Sequence, residues 1–136
     1  MNRFYDHPAF TAGYMGKKPE DLLRRAIELD AILCDIRYAP RSRNPVWNKE
    51  KLETMFGDRY RWVFAFGNKN YRGDGPIDIV DPDKGKEAVH RIIERQPVIL
   101  LCVCPNYDTC HRKVVGELLR RDGLSVSELD WIGEGS

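Results

Sequence analysis

Three of the four cysteines of the chain lie within nine residues of one another, and a histidine and an arginine follow the last of them. The segment reads Cys102-Val-Cys-Pro-Asn-Tyr-Asp-Thr-Cys-His-Arg112. Thiols and imidazoles act as nucleophiles, bases and ligands of soft metals, and a guanidinium binds anions in a bidentate way. The segment therefore marks a site of chemistry, and it locates that site better than it defines the reaction.

A second group of chemically active residues occurs earlier in the chain. Asp35-Ile-Arg37 follows one apolar run, and the loop Pro40-Arg-Ser-Arg-Asn-Pro45 comes directly after it. Guanidinium groups match the geometry of phosphate and carboxylate. We therefore predict an anion site, and its candidate residues are Arg37, Arg41, Ser42, Arg43 and Arg112.

Apolar patterning predicts the elements that position both groups. The expected strands are Ala9–Ala12, Ala31–Cys34, Arg61–Phe66, the run that starts at Val98, and a final one at Leu124–Val126. Four helices are expected. The first begins at Pro19, the second runs from Asn48 to Phe56, the third begins at Asp81-Pro82, and the last has Asp108 or Thr109 as its N-cap. The Gly- and Asn-rich residues 67–76 predict an irregular loop.

Strands that alternate with helices and are apolar throughout indicate a parallel sheet covered on both faces. We therefore expect an α/β fold, with residues 1–136 forming a single three-layer domain with a mainly parallel sheet and helices on both faces. Ligands bind such sheets outside the carboxyl ends of the strands. Both chemical groups follow strands, so they meet at one site if their two strands are neighbours.

Composition limits the partners. The 136 residues include 22 Lys+Arg and 21 Asp+Glu, a net charge of +1, so binding of an anion depends on local clustering. No apolar run is long enough to span a membrane, and the first residues lack a signal peptide, so we expect a cytoplasmic protein with reduced cysteines and no membrane partner. The expected partner is a small anionic ligand, and nucleic acid stays open; the oligomeric state is not predicted.

The two motifs also carry a resemblance. The pairing of CDIRYAPRSRNPVWNKEKL with VILLCVCPNYDTCHRKVVGELL resembles the domain of unknown function 488 family, from about Phe10 to about Leu129. The resemblance implies a small α/β domain and brings no agreed activity. The positions that match the family's signature are Asp35, Arg37, Ser42, Arg43, Cys102, Cys110, His111 and Arg112. Cys104 departs from the pattern, because an acidic residue is more usual there.

The predicted catalytic residues are Cys110, His111 and Asp35. A thiol at the start of a helix is activated by the helix dipole, His111 offers a base, and Asp35 would orient them or hold Arg112 in position. We expect Cys110, His111 and Arg112 to form an exposed corner of the site. Cys102, on a strand, is expected to be a buried apolar residue. Zinc is the rival occupant of the cysteine cluster, but the spacing is not that of a zinc finger, and adjacent Cys110 and His111 would point to different sides of a helix. No metal and no cofactor is therefore expected.

Three functions follow from these residues. The first is an enzyme or binding domain for a phosphorylated or nucleotide-like anion, with Cys- or His-dependent catalysis left open. The second is a non-catalytic module for a nucleotide or nucleic acid, using the same arginines together with Trp47 and Tyr71. The third is a thiol- or metal-dependent redox or sulfur-transfer protein. Tyrosine-phosphatase and P-loop chemistry is excluded, because neither loop motif is present.

Overall fold

The computed structural model of the protein describes residues 7–73, 75–104 and 106–133. Its strands are β1 (Ala9–Gly13), β2 (Ile32–Asp35), β3 (Tyr60–Trp62), β4 (Val98–Cys102) and β5 (Val126–Glu128). Its α-helices are α1 (Pro19–Leu29), α2 (Lys49–Phe56), α3 (Pro82–Ile93) and α4 (His111–Arg121). Within the described residues, the strands form one parallel sheet in the order β3-β2-β4-β1-β5.

Helices cover both faces of the sheet, which confirms the predicted α/β fold. Leu22 of α1 and Leu52 of α2 pack against Leu33 and Leu101 on one face. The other face packs against α3 and α4, whose buried side chains include Val89 and Val115. The central strand β4 is buried along its whole length, because it has a strand on each side and a helix layer above and below. This is why its sequence is continuously apolar.

The start of α3 agrees with the sequence prediction and illustrates its physical basis. The Asp81 side chain accepts a hydrogen bond from the backbone N–H of Lys84, and Pro82 occupies the first turn. The cap satisfies one of the N–H groups that have no partner within the helix. Capping chemistry of this kind depends only on nearby residues, so the sequence reveals it directly.

The predicted third strand, Arg61–Phe66, is wrong in its extent. The strand covers Tyr60–Trp62, and Phe64–Phe66 form a turn of 3-10 helix. The strand β3 pairs with β2, which ends at Asp35 opposite Trp62. Val63 donates one last backbone hydrogen bond to the Asp35 carbonyl, and beyond it residues 64–66 have no strand beside them within the described part of the chain, so the chain turns away. Their apolar character reflects packing of the turn, not a longer strand.

Two further boundaries differ from the prediction. The last helix begins at His111 with Cys110 as its N-cap, because Asp108 and Thr109 belong to a separate 3-10 turn. The final strand lies at Val126–Glu128 and not at residues 124–126, because the backbone N–H of Leu124 bonds to the Leu119 carbonyl and closes the end of α4. The first difference changes where Cys110 points.

No helix among the described residues is both long and apolar enough to cross a membrane. Parts of some predictions lie outside the described residues. These are Asp74 within the expected loop 67–76, Pro105 within the cysteine segment, and residues 1–6 and 134–136 of the expected domain.

Candidate functional site

The two chemical motifs meet at the carboxyl edge of the sheet. Strands β2 and β4 are direct neighbours, with Asp35 opposite Leu101. The Nε2 atom of His111 lies 2.7 Å from the carbonyl oxygen of Ile36, so a hydrogen bond joins the two motifs directly. The condition that the sequence left open, adjacency of the two strands, is therefore met.

A buried ion pair closes the end of β2. The carboxylate of Asp35 accepts hydrogen bonds from Nε and Nη2 of Arg37, at 2.8 and 2.6 Å. The hydroxyl of Tyr60 donates to the same carboxylate at 2.6 Å, and Nη1 of Arg37 donates to the hydroxyl of Tyr14 at 3.3 Å. Such a bidentate, charge-assisted pair fixes the direction of both side chains.

Burial and the ion pair change the ionisation of the groups at this strand end. Burial, followed by the charge of Asp35, raises the pKa of Tyr60 well above its ordinary value. Burial disfavours the charged form of Arg37, but its hydrogen bonds and charge interaction with Asp35 outweigh that effect and raise its pKa. Tyr60 therefore stays protonated and donates to Asp35, while Arg37 stays charged.

Three thiols gather at the end of β4. Cys102 and Cys110 are each only 1% exposed, whereas Cys104 is half-buried, and all are free of disulfide bonds. Hydrogen bonds with Cys102 and then with Cys110 lower the pKa of Cys104 to about 3, with a further contribution from the charge of Arg112. Burial raises the pKa of Cys102 well above its ordinary value. The negative charge of the cluster is thus favoured on Cys104.

His111 completes this cluster. One ligand-type atom from each of Cys102, Cys110 and His111 lies within 4.8 Å of the other two. A carbonyl oxygen can only accept a hydrogen bond, so Nε2 of His111 must carry the proton that it shares with Ile36. In the neutral ring, the lone pair is then on Nδ1, where it is available as a base or a ligand.

Arg112 is a buried structural connection between the thiol cluster and β5. Its Nη2 and Nε atoms donate to the Glu128 carboxylate at 2.7 and 3.2 Å. Its Nη1 atom donates to the Cys104 carbonyl oxygen at 2.5 Å and to Sγ of Cys102 at 3.4 Å. The guanidinium therefore holds the backbone after β4 in place and lies next to a thiol.

Gly13 provides the space for that connection. It ends β1 and pairs with Cys102 across the sheet. A Cβ atom at this position would lie 1.9 Å from the Cys104 carbonyl oxygen and 2.7 Å from Nη1 of Arg112. These are the two atoms that form the 2.5 Å hydrogen bond, so the bond requires a residue without a side chain here.

A cleft of about 1120 Å³ opens above these strand ends. Its described lining includes no carboxylate, and its basic side chains are Lys17, Arg37, Arg41, Arg43 and Arg72. Arg41 and Arg43 are exposed, and the described parts of the chain contain no ion pair or side-chain hydrogen bond for either guanidinium. The cleft therefore has an excess of positive charge in a protein whose net charge is +1.

Aromatic rings form part of the same cleft. The rings of Tyr38 and Tyr71 are stacked, with centroids 5.3 Å apart. Trp62 is 40% exposed and donates its indole N–H to the Arg37 carbonyl at 2.9 Å. Exposed rings with a fixed orientation offer flat apolar surfaces beside the cations.

The structure distributes the predicted site residues between the cleft and the core. Those that line the cleft are Arg37, Arg41, Ser42, Arg43 and His111. Cys110 and Asp35 are buried and are not among the described lining residues. The expectation of an exposed Cys110-His111-Arg112 corner is wrong, because both Cys110 and Arg112 are 1% exposed. The expectation that Asp35 orients His111 or Arg112 is also wrong, because Asp35 holds Arg37, and Ile36 and Glu128 hold the other two.

Sequence patterns did not identify some residues as part of the site. These are Gly13, Tyr14, Tyr60, Glu128 and the half-buried Cys104 in its role as a cleft residue. Most reach the site from strands that are distant along the chain, so single-sequence patterns contain no signal for them. Gly13 had a weak signal, since it directly follows an apolar strand.

Comparison with known proteins supports part of the resemblance. A model of the family described as "Domain of unknown function DUF488" matches residues 23–75. The matched family is DUF488. The match includes the Asp35-Ile-Arg37 motif and the Arg41–Arg43 loop, but residues 10–22 and 76–129 of the predicted resemblance lie outside it. Neither the curated proteins nor the solved structures give a significant match.

Proposed function

We propose that the cleft binds a small phosphorylated ligand with a planar ring, of the nucleotide-like class. The main support for this proposal is the charge of the cleft, whose described lining contains five basic side chains and no carboxylate. Guanidinium groups bind phosphate oxygens in a bidentate way. Because the whole chain has a net charge of only +1, this local excess of positive charge does not follow from a basic composition and favours binding of an anion in the cleft.

The five cations have different roles. Arg37 is neutralised by Asp35, so it contributes its remaining N–H donors at a fixed position rather than net charge. Arg41 and Arg43 supply net charge, because the described residues offer them no carboxylate. Ser42 lies between them, and its backbone N–H is held by the Asn48 side chain at 2.7 Å. This hydrogen bond restricts the loop, which lowers the entropy cost of binding.

The aromatic rings favour a ligand with a planar part. Tyr71 is 46% exposed and is stacked on Tyr38 at the side of the cleft. Stacking of a base on an aromatic ring contributes about 1–3 kcal/mol. The volume of about 1120 Å³ accommodates a molecule of nucleotide size. A small ligand is therefore favoured over a long nucleic acid.

The test is a calorimetric titration of the full chain with inorganic pyrophosphate and with the four common ribonucleoside diphosphates. We expect a nucleoside diphosphate to bind more tightly than pyrophosphate, and both affinities to fall with rising salt. Arg41→Ala and Arg43→Ala should each weaken both probes about 10- to 100-fold, the effect of losing a hydrogen bond to a charged group. Tyr71→Ala should weaken the nucleotide and leave pyrophosphate unchanged.

The matched control is Arg95→Ala. Arg95 is exposed and lies just before β4, at the opposite edge of the sheet from the cleft. Its loss should leave both affinities unchanged. Equal weakening by Arg95→Ala, absence of binding by every probe, or tighter binding of a single-stranded oligonucleotide than of any nucleotide would overturn the proposal.

A further inference from the structure

A separate feature lies at the wall of the cleft, where three side chains with thiol or imidazole donors converge. Cys102, Cys110 and His111 each place a donor atom within 4.8 Å of the other two. Cys104 lies outside that group, but it follows Cys102 by two residues and lines the cleft together with His111. Within the described residues, this is the group whose donor atoms lie closest to the arrangement of a metal site.

We propose that Cys102, Cys104, Cys110 and His111 bind a thiophilic divalent cation, with zinc as the best match. Zinc in proteins takes four tetrahedral ligands from cysteine and histidine, and three thiolates with one imidazole is a common set. Bonds of about 2.3 Å to sulfur and about 2.0 Å to nitrogen place the ligand atoms roughly 3.5–3.8 Å apart. Small side-chain rotations bring the donor atoms of Cys102, Cys110 and His111 from within 4.8 Å of one another to this spacing, and Cys104 must turn its thiol towards them to complete the set.

The objection that adjacent Cys110 and His111 point apart does not hold in the structure. Cys110 is the N-cap of α4 and has extended backbone angles, φ −96° and ψ 147°. His111 is the first helical residue. The change from extended to helical backbone between the two brings both side chains towards Cys102, which two successive helical residues would not do.

The surroundings of the four donors match those of a metal site. A histidine ligand usually donates its second ring N–H to a carbonyl or carboxylate, which fixes the ring and its tautomer. His111 does this with the Ile36 carbonyl at 2.7 Å, so Nδ1 is the ring nitrogen that is left to act as a ligand atom. The guanidinium of Arg112, which also pairs with Glu128, lies 3.4 Å from Sγ of Cys102 and donates a hydrogen bond that favours a thiolate there.

The proposed site has a structural consequence. Its ligands come from the end of β4, from the segment after it, and from the start of α4. A bound cation would cross-link these three segments. Cys102 and Cys110 would reach it from the core, and Cys104 and His111 from the cleft. The inference goes beyond the anion site, since the two use different donors.

Metal analysis of the full chain, purified under reducing conditions without a histidine tag, tests the proposal. We expect about one zinc per chain by inductively coupled plasma mass spectrometry, and a lower melting temperature after removal of the metal with a chelator. Cobalt(II) added to the metal-free protein should give the intense charge-transfer and visible bands of a tetrahedral cobalt–thiolate centre. Protein that binds neither zinc nor cobalt and melts at the same temperature with or without chelator would overturn the proposal.

Variants assign the ligands. Cys110→Ser and His111→Gln should each lower zinc content and abolish or shift the cobalt bands. The matched control is Cys34→Ala, which removes the cysteine outside the group and should keep one zinc per chain. Retention of full zinc content by both ligand variants would place the metal elsewhere and contradict the assignment.

Two further measurements distinguish a loss of metal binding from a loss of folding or of anion binding. The cobalt spectrum of the unmodified chain needs no variant, so it decides the proposal even if Cys110→Ser does not fold. Arg41→Ala should lose affinity for pyrophosphate and keep its zinc. A chain that binds zinc without pyrophosphate contradicts only the anion site, and one that binds pyrophosphate without zinc contradicts only the metal site.

Discussion

The ends of β2 and β4 lie side by side, yet they surround their buried arginines differently. Arg37 pairs with Asp35, which is fully buried and two residues away in the chain. Arg112 pairs with Glu128, whose side chain is 43% exposed and lies sixteen residues away. The first pair is enclosed and completed by tyrosine hydroxyls, and the second is open to water on one side and to thiols on the other.

The difference separates a scaffold from a site of chemistry. At the end of β2, hydrogen bonds from Arg37 and Tyr60 occupy the Asp35 carboxylate, so Asp35 holds Arg37 in position at the cleft and does not itself bind a ligand. At the end of β4, thiols and an imidazole face one another and keep donor atoms available. We therefore expect substitution of Asp35 to act mainly on stability, and substitutions of the thiols and the imidazole at the end of β4 to act on metal binding.

The largest expected effect comes from breaking the enclosed pair. Asp35→Ala leaves the Arg37 charge buried without a partner, which costs about 3–5 kcal/mol of unfolding free energy. Glu128→Ala should cost less, about 1.5–3 kcal/mol, because water can replace the exposed carboxylate. Urea unfolding of both variants measures the two values.

A double variant sharpens this comparison. Replacing the pair by Asp35→Leu with Arg37→Met removes both charges, so it should be more stable than Asp35→Ala alone. If Glu128→Ala were as destabilising as Asp35→Ala, the distinction between an enclosed and an open pair would fail.

A second prediction concerns Gly13, which serves the open region. In Gly13→Ala the new Cβ overlaps the Cys104 carbonyl, so the chain after β4 must shift, at a cost of about 1–3 kcal/mol. The same shift should weaken zinc binding, measured by competition with a chelator. Gly75→Ala is the matched control, because its nearest described contact is a side-chain nitrogen at 3.4 Å. Unchanged zinc affinity and stability in Gly13→Ala would show that the bond from Arg112 to Cys104 is dispensable.

The smallest expected loss of unfolding free energy comes from removing the Tyr60 hydroxyl, which donates to the enclosed Asp35–Arg37 pair. Tyr60→Phe removes one hydrogen bond to a charged group and should cost about 1.5 kcal/mol at neutral pH, because Arg37 still satisfies Asp35. The pKa of Tyr60 is raised by burial, so its contribution is complete below the unfolded pKa of about 10 and is lost as pH rises above it.

The unfolding free energies of the unmodified chain and of Tyr60→Phe should therefore converge above about pH 10. Denaturant unfolding at several pH values measures this convergence. A gap that widens with pH would show that the Tyr60 hydroxyl is not held protonated by the fold.

Local signals explain which predictions agree with the structure. Pro19 and the Asp81-Pro82 pair mark helix starts through backbone chemistry, and the apolar run at Val98 marks a central strand through burial. The third strand was predicted too long because apolarity records burial alone. Whether a buried segment extends depends on a neighbouring strand, and for residues 64–66 that neighbour is missing among the described residues.

The sequence by itself determined the α/β class, the two motifs and their places after strands, because side-chain periodicity and capping act over a few residues. Only the tertiary structure decided which groups meet: Tyr60 with Asp35, Arg112 with Glu128, and His111 with Ile36 across 75 residues. Such contacts depend on strand order, which no local pattern encodes. The orientation of Cys110 was decided in the same way, because one residue of difference in the start of α4 turns its thiol from solvent into the core.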